Sequence, residues 1–424
     1  MNSDGTRKVV ILGGGFAGLA AARALRRARV EITLVDRTNH HVFQPLLYQA
    51  ATAAVSPADI TAPIRWLLRK QGNTRVLLGE ASEIDVERRT VRLADPEEVL
   101  AYDHLVVATG ARHSYFDHPD WEALAPGLKS IEDALESRNR FLSAFERAER
   151  TRDPAERRAL QTFVVVGGGP TGVELAGVLP VIARKALAPD FRAIDPSDTR
   201  VILVEGGERV LPAFPERLSS RARRDLEELG VEVRTKALVT RIDDRGIWID
   251  DERVEARTVF WAAGNEASPV ARTVGAPLDH AGRVLVEPDL SIPNHPEVFV
   301  VGDLAALRQN GGFVPWVAPA ANQQGKHAAS SILRDLAGKP RRPFRYRDKG
   351  NLATIGRHRA VADFGWLKMT GTAAWFLWLF VHILYLVGFR NRLSVLLQWA
   401  YAYFTYQRGV RLITSTRRGS DRVS

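Results

Sequence analysis

Three glycines near the start of the chain are spaced for binding a phosphate group. Gly13, Gly15 and Gly18 form a G-x-G-x-x-G turn between the apolar residues 9–12 and an alanine-rich stretch. The first glycine of such a turn permits a tight bend, the second lets backbone approach a pyrophosphate, and the third lets helix and strand pack closely. Asp36 follows 23 residues after Gly13, close to the offset of about 20 at which an acid meets a ribose hydroxyl. The pattern predicts a dinucleotide site on a strand, a turn and a helix.

The same motif returns with every glycine displaced by 154 residues. Gly167, Gly169 and Gly172 follow a second apolar strand pattern, and the next strand ends in an acid again, Glu205. Duplication of this kind is far more specific than either motif alone. We therefore predict two dinucleotide-binding units of one design.

Small residues also end three further apolar runs. One run ends in Thr109 and Gly110, and its counterpart in the second unit ends in Gly264. Backbone can pass close to a cofactor at such points because no bulky side chain intervenes. A third run ends in Gly302 and Asp303. Gly302-Asp303 could be an ordinary end of a strand, but in a chain with two nucleotide motifs we favour a contact with the ligand.

The segments between these motifs follow helical and hairpin patterns. Residues 131–160 are charged and helical in pattern, with a break at Asp153-Pro154, which predicts a connecting surface helix. An amphipathic helix is predicted over 215–229 and a hairpin over roughly 231–249. His40 and His41 resemble a metal pair but have no further ligand candidates nearby, so a loop that covers the bound cofactor is favoured and no metal site is predicted.

Length and composition limit the class of protein. A chain of 424 residues with 45% hydrophobic and 25% charged residues is globular and long enough for about two to three domains. It contains no cysteine, which excludes disulfides, thiolate metal sites and thiol-based catalysis. Residues 1–8 are polar and lead directly into the first strand. No signal peptide is visible there, so a cytoplasmic location is expected.

The net charge of +10 is concentrated at the C-terminal end, beside apolar and aromatic residues. Ala373–Phe389 is an apolar run of 17 residues interrupted only by His382, which is short for a bilayer span of about 20. Aromatic residues mixed with flanking arginines suit helices that lie in a membrane interface. A buried core helix is the main alternative. An anionic membrane surface is therefore favoured over nucleic acid as the partner. The sequence after Gly388 contains one acid, Asp421, and seven arginines: Arg390, Arg392, Arg408, Arg411, Arg417, Arg418 and Arg422.

The order of these motifs resembles that of the two-dinucleotide-binding-domain flavoproteins. Ala108-Thr109-Gly110 lies between the two glycine motifs, and Gly302-Asp303 follows both. The resemblance implies an α/β fold in which the first Rossmann-like unit holds FAD and the second holds NADH. It also implies that Asp303 bonds the ribityl chain of the flavin. The domains expected are residues 1–125 and 273–350 for FAD, 126–272 for NADH, and 351–424 for a C-terminal amphipathic helical membrane-binding region.

Within that superfamily the chain resembles the type II NADH:quinone oxidoreductases, single-subunit dehydrogenases that pump no protons. The similarity covers essentially the whole chain, while the lack of cysteine excludes the superfamily members that use a cysteine beside the flavin. The matching segments are 43–49, 169–177, 350–357, Trp378 with His382, 388–391 and the arginine-rich tail.

The resemblance implies a hydride transfer from NADH to non-covalently bound FAD, followed by transfer of two electrons to a membrane quinone near Gln323. It also implies a homodimer on the cytoplasmic face of the membrane. One position departs from the family, whose quinone-side motif is often Ala-Gln-x-Ala-x-Gln. Here Pro319 replaces the first glutamine of that motif, so any contact made by that side chain is absent.

Two acidic residues of the second unit carry specific expectations. Glu205 ends the strand where an acid bonds a ribose 2′-hydroxyl and repels a 2′-phosphate, so NADH should be preferred over NADPH. Glu174 has Ala20 as its counterpart in the first unit, so the fold does not require an acid there. We interpret it as a contact to nicotinamide or a proton route to the reduced quinone. A cap or a structural hydrogen bond is the alternative.

Two other functions stay open at this point. A soluble reductase of a small redox protein such as ferredoxin would also lack an active-site cysteine, but it has no use for an aromatic, basic tail. A flavoprotein that binds NADH slowly and acts through partner interactions, as apoptosis-inducing factors do, is the other.

Overall fold

The computed structural model describes residues 6–94, 97–405 and 410–414. Two compact units make up the chain. The first comprises Met1–His41, Ala62–Arg112 and Asn265–Lys349, and the second comprises Val42–Thr61, His113–Gly264 and Gly350–Ser424. These units describe packing, and the assignment of residues 1–125, 126–272, 273–350 and 351–424 to functional domains stays a prediction. Arg408, Arg417, Arg418, Asp421 and Arg422 of the basic tail lie outside the described residues.

The α-helices of the described residues are α1 (Phe16–Ala24), α2 (Leu47–Ala51), α3 (Ile64–Leu68), α4 (Trp121–Leu124), α5 (Ile131–Arg150), α6 (Pro154–Leu160), α7 (Pro170–Val181), α8 (Glu216–Glu228), α9 (Ala318–Leu336), α10 (Gly371–Tyr385) and α11 (Phe389–Thr405). The strands of the first hundred or so residues are β1 (Arg7–Leu12), β2 (Val30–Asp36), β3 (His40–Val42), β4 (Thr61–Pro63), β5 (Thr74–Leu78), β6 (Ala81–Asp85), β7 (Thr90–Leu93), β8 (Glu98–Ala101), β9 (His104–Val107) and β10 (Ala111–His113). The remaining strands are β11 (Thr162–Val166), β12 (Arg200–Glu205), β13 (Val231–Thr235), β14 (Val239–Ile242), β15 (Gly246–Ile249), β16 (Glu252–Glu255), β17 (Thr258–Trp261), β18 (Asn265–Ala267), β19 (Val284–Leu285), β20 (Ser291–Ile292), β21 (His295–Val300), β22 (Ala305–Ala306), β23 (Arg308–Gln309), β24 (Gly312–Phe313), β25 (Asn351–Gly356), β26 (Arg359–Asp363) and β27 (Lys368–Thr370).

The first unit is built on a six-stranded sheet with the order β20-β21-β9-β1-β2-β5. β1 lies between β2 and β9 in parallel register, so that Leu12 is opposite both Val35 and Val107. Alternate residues of β1 enter different hydrophobic cores, with Val9 and Ile11 on one face of the sheet and Val10 and Leu12 on the other. Burial on both faces explains why the strand is an unbroken apolar run.

Helices α1 and α9 pack closely on one face of this sheet. A Cβ added at Gly325 of α9 would lie 2.0 Å from the carbonyl oxygen of Ala17 in α1, so only glycine fits there. The contact places the first turns of α9 beside the turn that contains Gly302.

The second unit repeats this plan on a four-stranded parallel sheet with the order β13-β12-β11-β17. The predicted amphipathic helix over 215–229 is present as α8. The predicted hairpin over 231–249 is wrong in its first half, because Val231–Thr235 pairs in parallel with β12. The crossover through α8 returns the chain to the sheet edge, and the actual hairpin is formed by β14 and β15.

The predicted connecting helix is present as two helices with the expected break between them. Ser130 caps α5 in a reciprocal pair with Asp133, and Asp153 caps α6 with Pro154 at its first position. Both are typical N-terminal signals. The break therefore follows from local capping chemistry.

The C-terminal part of the second unit contains a three-stranded antiparallel sheet, β25-β26-β27, followed by α10 and α11. Ala374, Trp378 and Val395 are buried, whereas much of the remaining apolar surface is exposed. The exposed large apolar residues of the two helices are Phe376, Phe380, Leu384, Tyr385, Phe389, Leu393, Leu396, Leu397, Tyr401 and Phe404. Among the described residues, no helix combines the length and apolarity that crossing a membrane requires.

The polar side chains of α11 fasten it to the segment that follows α2. Ser394 and Gln398 both donate to the carboxylate of Asp59, at 2.8 and 2.7 Å. Asn391 donates to the backbone carbonyl of Thr61 at 2.8 Å. Positions 391, 394 and 398 share one helical face, so α11 is held by a polar face while its apolar side chains point elsewhere.

Candidate functional site

The glycine loop of the first unit has the shape that a phosphate cradle requires. Gly13 has a φ of +100°, and a Cβ there would lie 2.3 Å from the carbonyl oxygen of Ala108. A Cβ at Gly18 would lie 1.8 Å from the carbonyl oxygen of Gly13, whereas Gly15 has no protein atom within 4 Å of that position. α1 begins directly after Gly15 with no side-chain cap. Its N–H groups and positive dipole end therefore face open space beside Gly15, which suits an anion.

Asp36 secures this loop from the end of β2. Its Oδ2 accepts a hydrogen bond from the backbone N–H of Gly14 at 2.5 Å, and its Oδ1 accepts from Thr38. His41 binds the same loop, with its ring Nδ1 3.1 Å from the carbonyl oxygen of Gly14. Burial lowers the pKa of His41 to about 4, so the ring is neutral and Nδ1 donates the hydrogen bond.

The other predicted cofactor residues of the first unit lie just after the strands β9 and β21, where polar atoms and open backbone are found. The hydroxyl of Thr109 is buried and has no partner among the described residues. Gly110 has a φ of +71° and no atom within 4 Å of an added Cβ. Asp303 lies in the helical turn Gly302–Leu304, and the N–H of Gly302 donates to Gln324 of α9 at 2.5 Å. An unpaired buried hydroxyl next to open backbone fits a polar cofactor.

Gln323 also belongs to the first unit, on α9. Its side-chain amide forms two hydrogen bonds with the backbone of Arg347, donating to the carbonyl oxygen at 2.9 Å and accepting from the N–H at 3.0 Å. Both ends of the amide are therefore engaged by the segment that follows α9.

The second unit contains the matching cradle. Gly167 has a φ of +109°, and a Cβ there would lie 2.6 Å from backbone atoms of Ala262. A Cβ at Gly172 would lie 1.8 Å from the carbonyl oxygen of Gly167, while Gly169 has nothing within 4 Å. Gly169 precedes α7, which has no side-chain cap. This repeats the open helix N-terminus of the first unit.

Two further predicted residues lie around this second loop. Glu205 accepts hydrogen bonds from the N–H of Gly168 at 2.5 Å and of Gly207 at 2.7 Å. Gly264 has a φ of +70°, and a Cβ there would lie 2.6 Å from the ring of Phe116. The acid thus holds the glycine loop in place, as Asp36 does in the first unit.

Glu174 lies in α7, one turn beyond the second cradle. Its side chain keeps some exposed surface, yet protein atoms surround it densely enough that burial raises its pKa to about 8. The backbone N–H of Thr354 in β25 donates to it at 3.4 Å. The indole of Trp378 is its other polar neighbour, although the indole N–H completes no hydrogen bond within the described residues. At neutral pH the carboxyl is therefore mainly protonated and can donate a proton.

Aromatic side chains of the C-terminal helices continue from Trp378. The ring of His382 stacks on Trp378 with centroids 4.1 Å apart, and its Nδ1 lies 2.7 Å from the carbonyl oxygen of Trp378. Burial lowers the pKa of His382 to about 4, so the ring is neutral and Nδ1 is the donor. Phe43 also contacts His382, edge to face, with ring centroids 6.3 Å apart.

The segment around α2 is joined to the same aromatic group. Trp399 of α11 packs on Trp378 at 5.7 Å and donates its indole N–H to the side-chain oxygen of Gln49 at 2.7 Å. Gln49 in turn donates to the hydroxyl of Tyr48 at 3.0 Å. Residues Phe43–Gln49, α10 and α11 thus form one aromatic wall beside Glu174, which we call the α10–α11 wall.

Comparison with known proteins identifies the family of this arrangement. Residues 7–325 match the family model of the pyridine nucleotide-disulphide oxidoreductases, and residues 349–406 match the NDH2 C-terminal domain. The type II NADH:quinone oxidoreductase NdhA of Mycobacterium tuberculosis is 47% identical, over 97% of this chain and 90% of the relative. The Ndh enzyme of the same organism is 46% identical, over 96% of this chain and 90% of the relative. The chain belongs to the type II NADH:quinone oxidoreductases.

The fold of this type II NADH:quinone oxidoreductase is also that of a solved NDH2. The structure of NDH2 from Plasmodium falciparum in complex with NADH superposes with a TM-score of 0.88 at 19% identity, covering 97% of this chain and all of the other. The predicted family and the predicted fold class, with two Rossmann-like units and a C-terminal helical region, are confirmed. Although one matching family model is named for disulphide chemistry, this oxidoreductase has no cysteine.

For several residues of the site the sequence predicts no contact. Thr354, Trp378 and Trp399 lie far along the chain from Glu174 and Gln49, and only folding brings them together. The adjacent histidines predict no site of their own, yet His41 binds the first glycine loop. The family resemblance at 350–357 includes Thr354, and the match at Trp378 with His382 includes Trp378, but neither resemblance assigns these residues a role.

Proposed function

We propose that this protein transfers a hydride from NADH to non-covalently bound FAD and then two electrons to a membrane quinone, without pumping protons. The observation that carries the proposal is a pair of helix N-termini without side-chain caps, in a member of this family that has no cysteine. α1 follows Gly15 and α7 follows Gly169, and both glycines border open space. Two such cradles suit two dinucleotides. A soluble reductase of a small redox protein is not favoured, since such an enzyme has no use for the exposed apolar side chains of α10 and α11.

FAD is assigned to the first unit. Gly13, Gly15 and Gly18 would cradle its pyrophosphate at the start of α1, and Asp36 would meet the adenosine ribose. The unpaired hydroxyl of Thr109 and the open backbone of Gly110 would contact the flavin part, and Asp303 its ribityl chain. FAD, when bound, accepts a hydride from NADH and returns electrons to the quinone.

NADH is assigned to the second unit. Gly167, Gly169 and Gly172 would hold its pyrophosphate, and the backbone at Gly264 would pass beside the nicotinamide half. Glu205 would accept from the ribose 2′-hydroxyl, and its charge would repel the 2′-phosphate of NADPH. Because no nucleophile is needed, the protein contributes mainly position, with reacting atoms held about 3–3.5 Å apart.

Glu174 is assigned the acid role at the acceptor side. A carboxyl with a pKa near 8 is protonated at neutral pH and can deliver a proton to a reduced quinone. Gln323 is assigned a positioning role beside the quinone, since its amide is fixed by two hydrogen bonds to the backbone of Arg347 and keeps one N–H and one lone pair for a ligand.

Membrane association is assigned to α10 and α11. Their exposed aromatic and aliphatic side chains suit the boundary between lipid headgroups and acyl chains, and exposed Arg390 suits anionic lipid. We place the protein peripherally on the cytoplasmic face of the membrane, as a homodimer.

The test is the acceptor profile of the purified protein. The preparation should be yellow, release FAD and no FMN after heat or acid, and oxidise NADH with a quinone analogue at a rate far above that with oxygen. Turnover restricted to ferredoxin-type acceptors, or flavin that stays attached to the denatured chain, would contradict the proposal.

A further inference from the structure

The loop that leads into α9 contains a buried hydrogen-bond donor without a partner. The indole nitrogen of Trp316 is shielded from solvent and forms no hydrogen bond with any described residue. A buried donor left unpaired loses its hydration without compensation. The indole N–H of Trp316 is therefore able to donate to a group that the described residues do not supply.

The ring of Trp316 is nevertheless held firmly. The guanidinium carbon of Arg283 lies 5.1 Å from the centre of this ring and 4.6 Å from the centre of the Phe313 ring. Arg283 is fixed in turn by Asp279, whose carboxylate accepts from it at 2.7 Å, and the two charged side chains are only 9% and 6% exposed. Cation–π contacts of this kind strengthen when water is excluded. The ring is therefore positioned by its face, which leaves the N–H available.

Trp316 belongs to the segment that leads into the first turns of α9, and those turns border the ligand edge proposed for the FAD unit. Trp316 lies two residues before Ala318, where α9 begins. The first turns of α9 border Gly302, since a Cβ added at Gly302 would lie 3.7 Å from that of Ala321. Asp303, which is assigned to the flavin, follows Gly302 directly.

The sequence of the same loop gives an independent reason for a donor here. Pro319 stands where the family's quinone-side motif often has glutamine, and proline has no side-chain donor and no backbone N–H. Trp316, three residues earlier, has an N–H with no described partner. Quinones and flavins both present ring carbonyl oxygens that accept such a bond.

We propose that Trp316 donates its indole N–H to a ring carbonyl oxygen of the bound quinone or of the flavin, held in place by the Asp279–Arg283 pair. The inference rests on the proposed function, because it needs one of these rings at this edge. It makes Trp316 a residue that touches the ligand, and Arg283 a positioning residue.

The test compares Trp316→Phe, which removes the N–H and keeps an aromatic face over Arg283, with Trp316→His, which restores a ring N–H. Trp66→Phe is the matched control, because Trp66 also stacks with an arginine, Arg69, at 4.2 Å but is 48% exposed. The readouts on FAD-loaded enzyme are quinone KM and kcat, NADH–ferricyanide turnover, and the visible spectrum and midpoint potential of the flavin.

Loss of one neutral hydrogen bond corresponds to a change of roughly three- to tenfold in affinity. A bond to quinone predicts that Trp316→Phe raises the quinone KM by about that factor, leaves ferricyanide turnover and the flavin spectrum unchanged, and is partly rescued by histidine. A bond to the flavin predicts a shifted spectrum and potential, with turnover changed for both acceptors. Unchanged values in all of these readouts would overturn the proposal.

A second measurement keeps the inference testable if the substitutions unfold the protein. With tryptophan labelled by 15N, the indole N–H resonance of Trp316 in the unaltered holoenzyme should shift downfield when a quinone analogue binds, or should already lie downfield with FAD alone. A resonance that matches exposed Trp66 in both states would contradict it. If the unaltered enzyme reduces no quinone, the proposed function fails, while the flavin readouts still decide the role of Trp316.

Discussion

The backbone N–H of Thr354 in β25 donates to the carboxyl of Glu174 in α7 across 3.4 Å, although the two residues are 180 positions apart. This long bond is weak, and burial therefore dominates the protonation of Glu174 and raises its pKa to about 8. The C-terminal sheet thus contributes directly to the surroundings of the acid that we assign to quinone reduction.

Glu174→Gln should slow quinone reduction by roughly 10²-fold, because proton delivery by a positioned acid is worth about that factor. NADH–ferricyanide turnover should fall much less, since that acceptor takes no proton. Rates measured with both acceptors decide this. Glu87→Gln, at a carboxylate that is 84% exposed, is the control and should alter neither rate. Equal losses with both acceptors would show that Glu174 acts on NADH instead.

The same substitution makes a prediction about stability and pH. Below the ordinary glutamate pKa of about 4.5, the carboxyl of Glu174 is protonated in both the folded and the unfolded chain, so its ionisation does not lower the free energy of unfolding. As the pH rises from there to about 8, only the unfolded chain releases it, and the folded state loses relative stability. Glu174→Gln should therefore raise the free energy of unfolding more at pH 8 than at pH 5, by a few kcal/mol at most, and thermal unfolding at the two pH values measures the difference. A pH-independent difference would contradict the raised pKa.

The two kinds of glycine in the second cradle should behave differently when replaced by alanine. Gly169 has a φ of −70° and open space, so Gly169→Ala should leave unfolding unchanged and raise the NADH KM, because the methyl group occupies the place of the pyrophosphate. Gly172→Ala should instead destabilise the unit by roughly 1–3 kcal/mol, because its Cβ overlaps the carbonyl oxygen of Gly167. Thermal unfolding and NADH titration of both variants separate these outcomes. A stability loss in Gly169→Ala would show that the open space is used by the protein itself.

The two glycine loops could be predicted from the sequence because their geometry is local, whereas their role as cofactor sites stays a prediction. Gly13 and Gly167 need positive φ values, and the acids Asp36 and Glu205 follow at the end of the next strand, so a few dozen residues contain the whole pattern. The hairpin over 231–249 was wrong because Val231–Thr235 has the same alternation in a hairpin as at a parallel sheet edge. Only pairing with β12 distinguishes the two.

The α10–α11 wall could not be predicted in the same way. Its apolar composition is compatible with a core helix or an interface helix, and the difference lies in which side chains find partners. Trp378 is buried against Tyr48, while Phe380, two residues later, is exposed. That division depends on packing against residues 43–49, more than 300 positions earlier in the chain.

Glu205 should set the choice of nucleotide. Glu205→Gln should narrow the preference for NADH over NADPH by roughly tenfold or more, because the charge that repels a 2′-phosphate is lost. The variant should also lose some stability, since Gly168 and Gly207 donate to different oxygens of the carboxylate, and the amide nitrogen that replaces one of them cannot accept a hydrogen bond. Glu208→Gln, at a nearby carboxylate that is 83% exposed, should preserve both properties. Equal kcat/KM for the two nucleotides in the unaltered protein would contradict this assignment.

The exposed apolar side chains of α10 and α11 should hold the protein on anionic membranes. Phe380, Leu397 and Phe404 are 65%, 62% and 80% exposed, so replacing all three by serine should leave folding intact and remove apolar area from the interface. Full burial of such a side chain contributes roughly 1.5–3 kcal/mol, so binding to anionic liposomes should weaken by more than about tenfold even if each is only half buried. Leu238→Ser, at a residue of the same unit that is 61% exposed, is the control and should bind as the unaltered protein does.

High salt should weaken binding of the unaltered protein to the liposomes only in part, because the apolar contribution persists when charge is screened. Ferricyanide turnover should survive the triple substitution, whereas reduction of a long-chain quinone inside liposomes should fall steeply, because the enzyme no longer stays at the surface where that quinone is found. An unaltered protein that ignores anionic liposomes and stays in solution without detergent would contradict membrane association and favour a soluble acceptor.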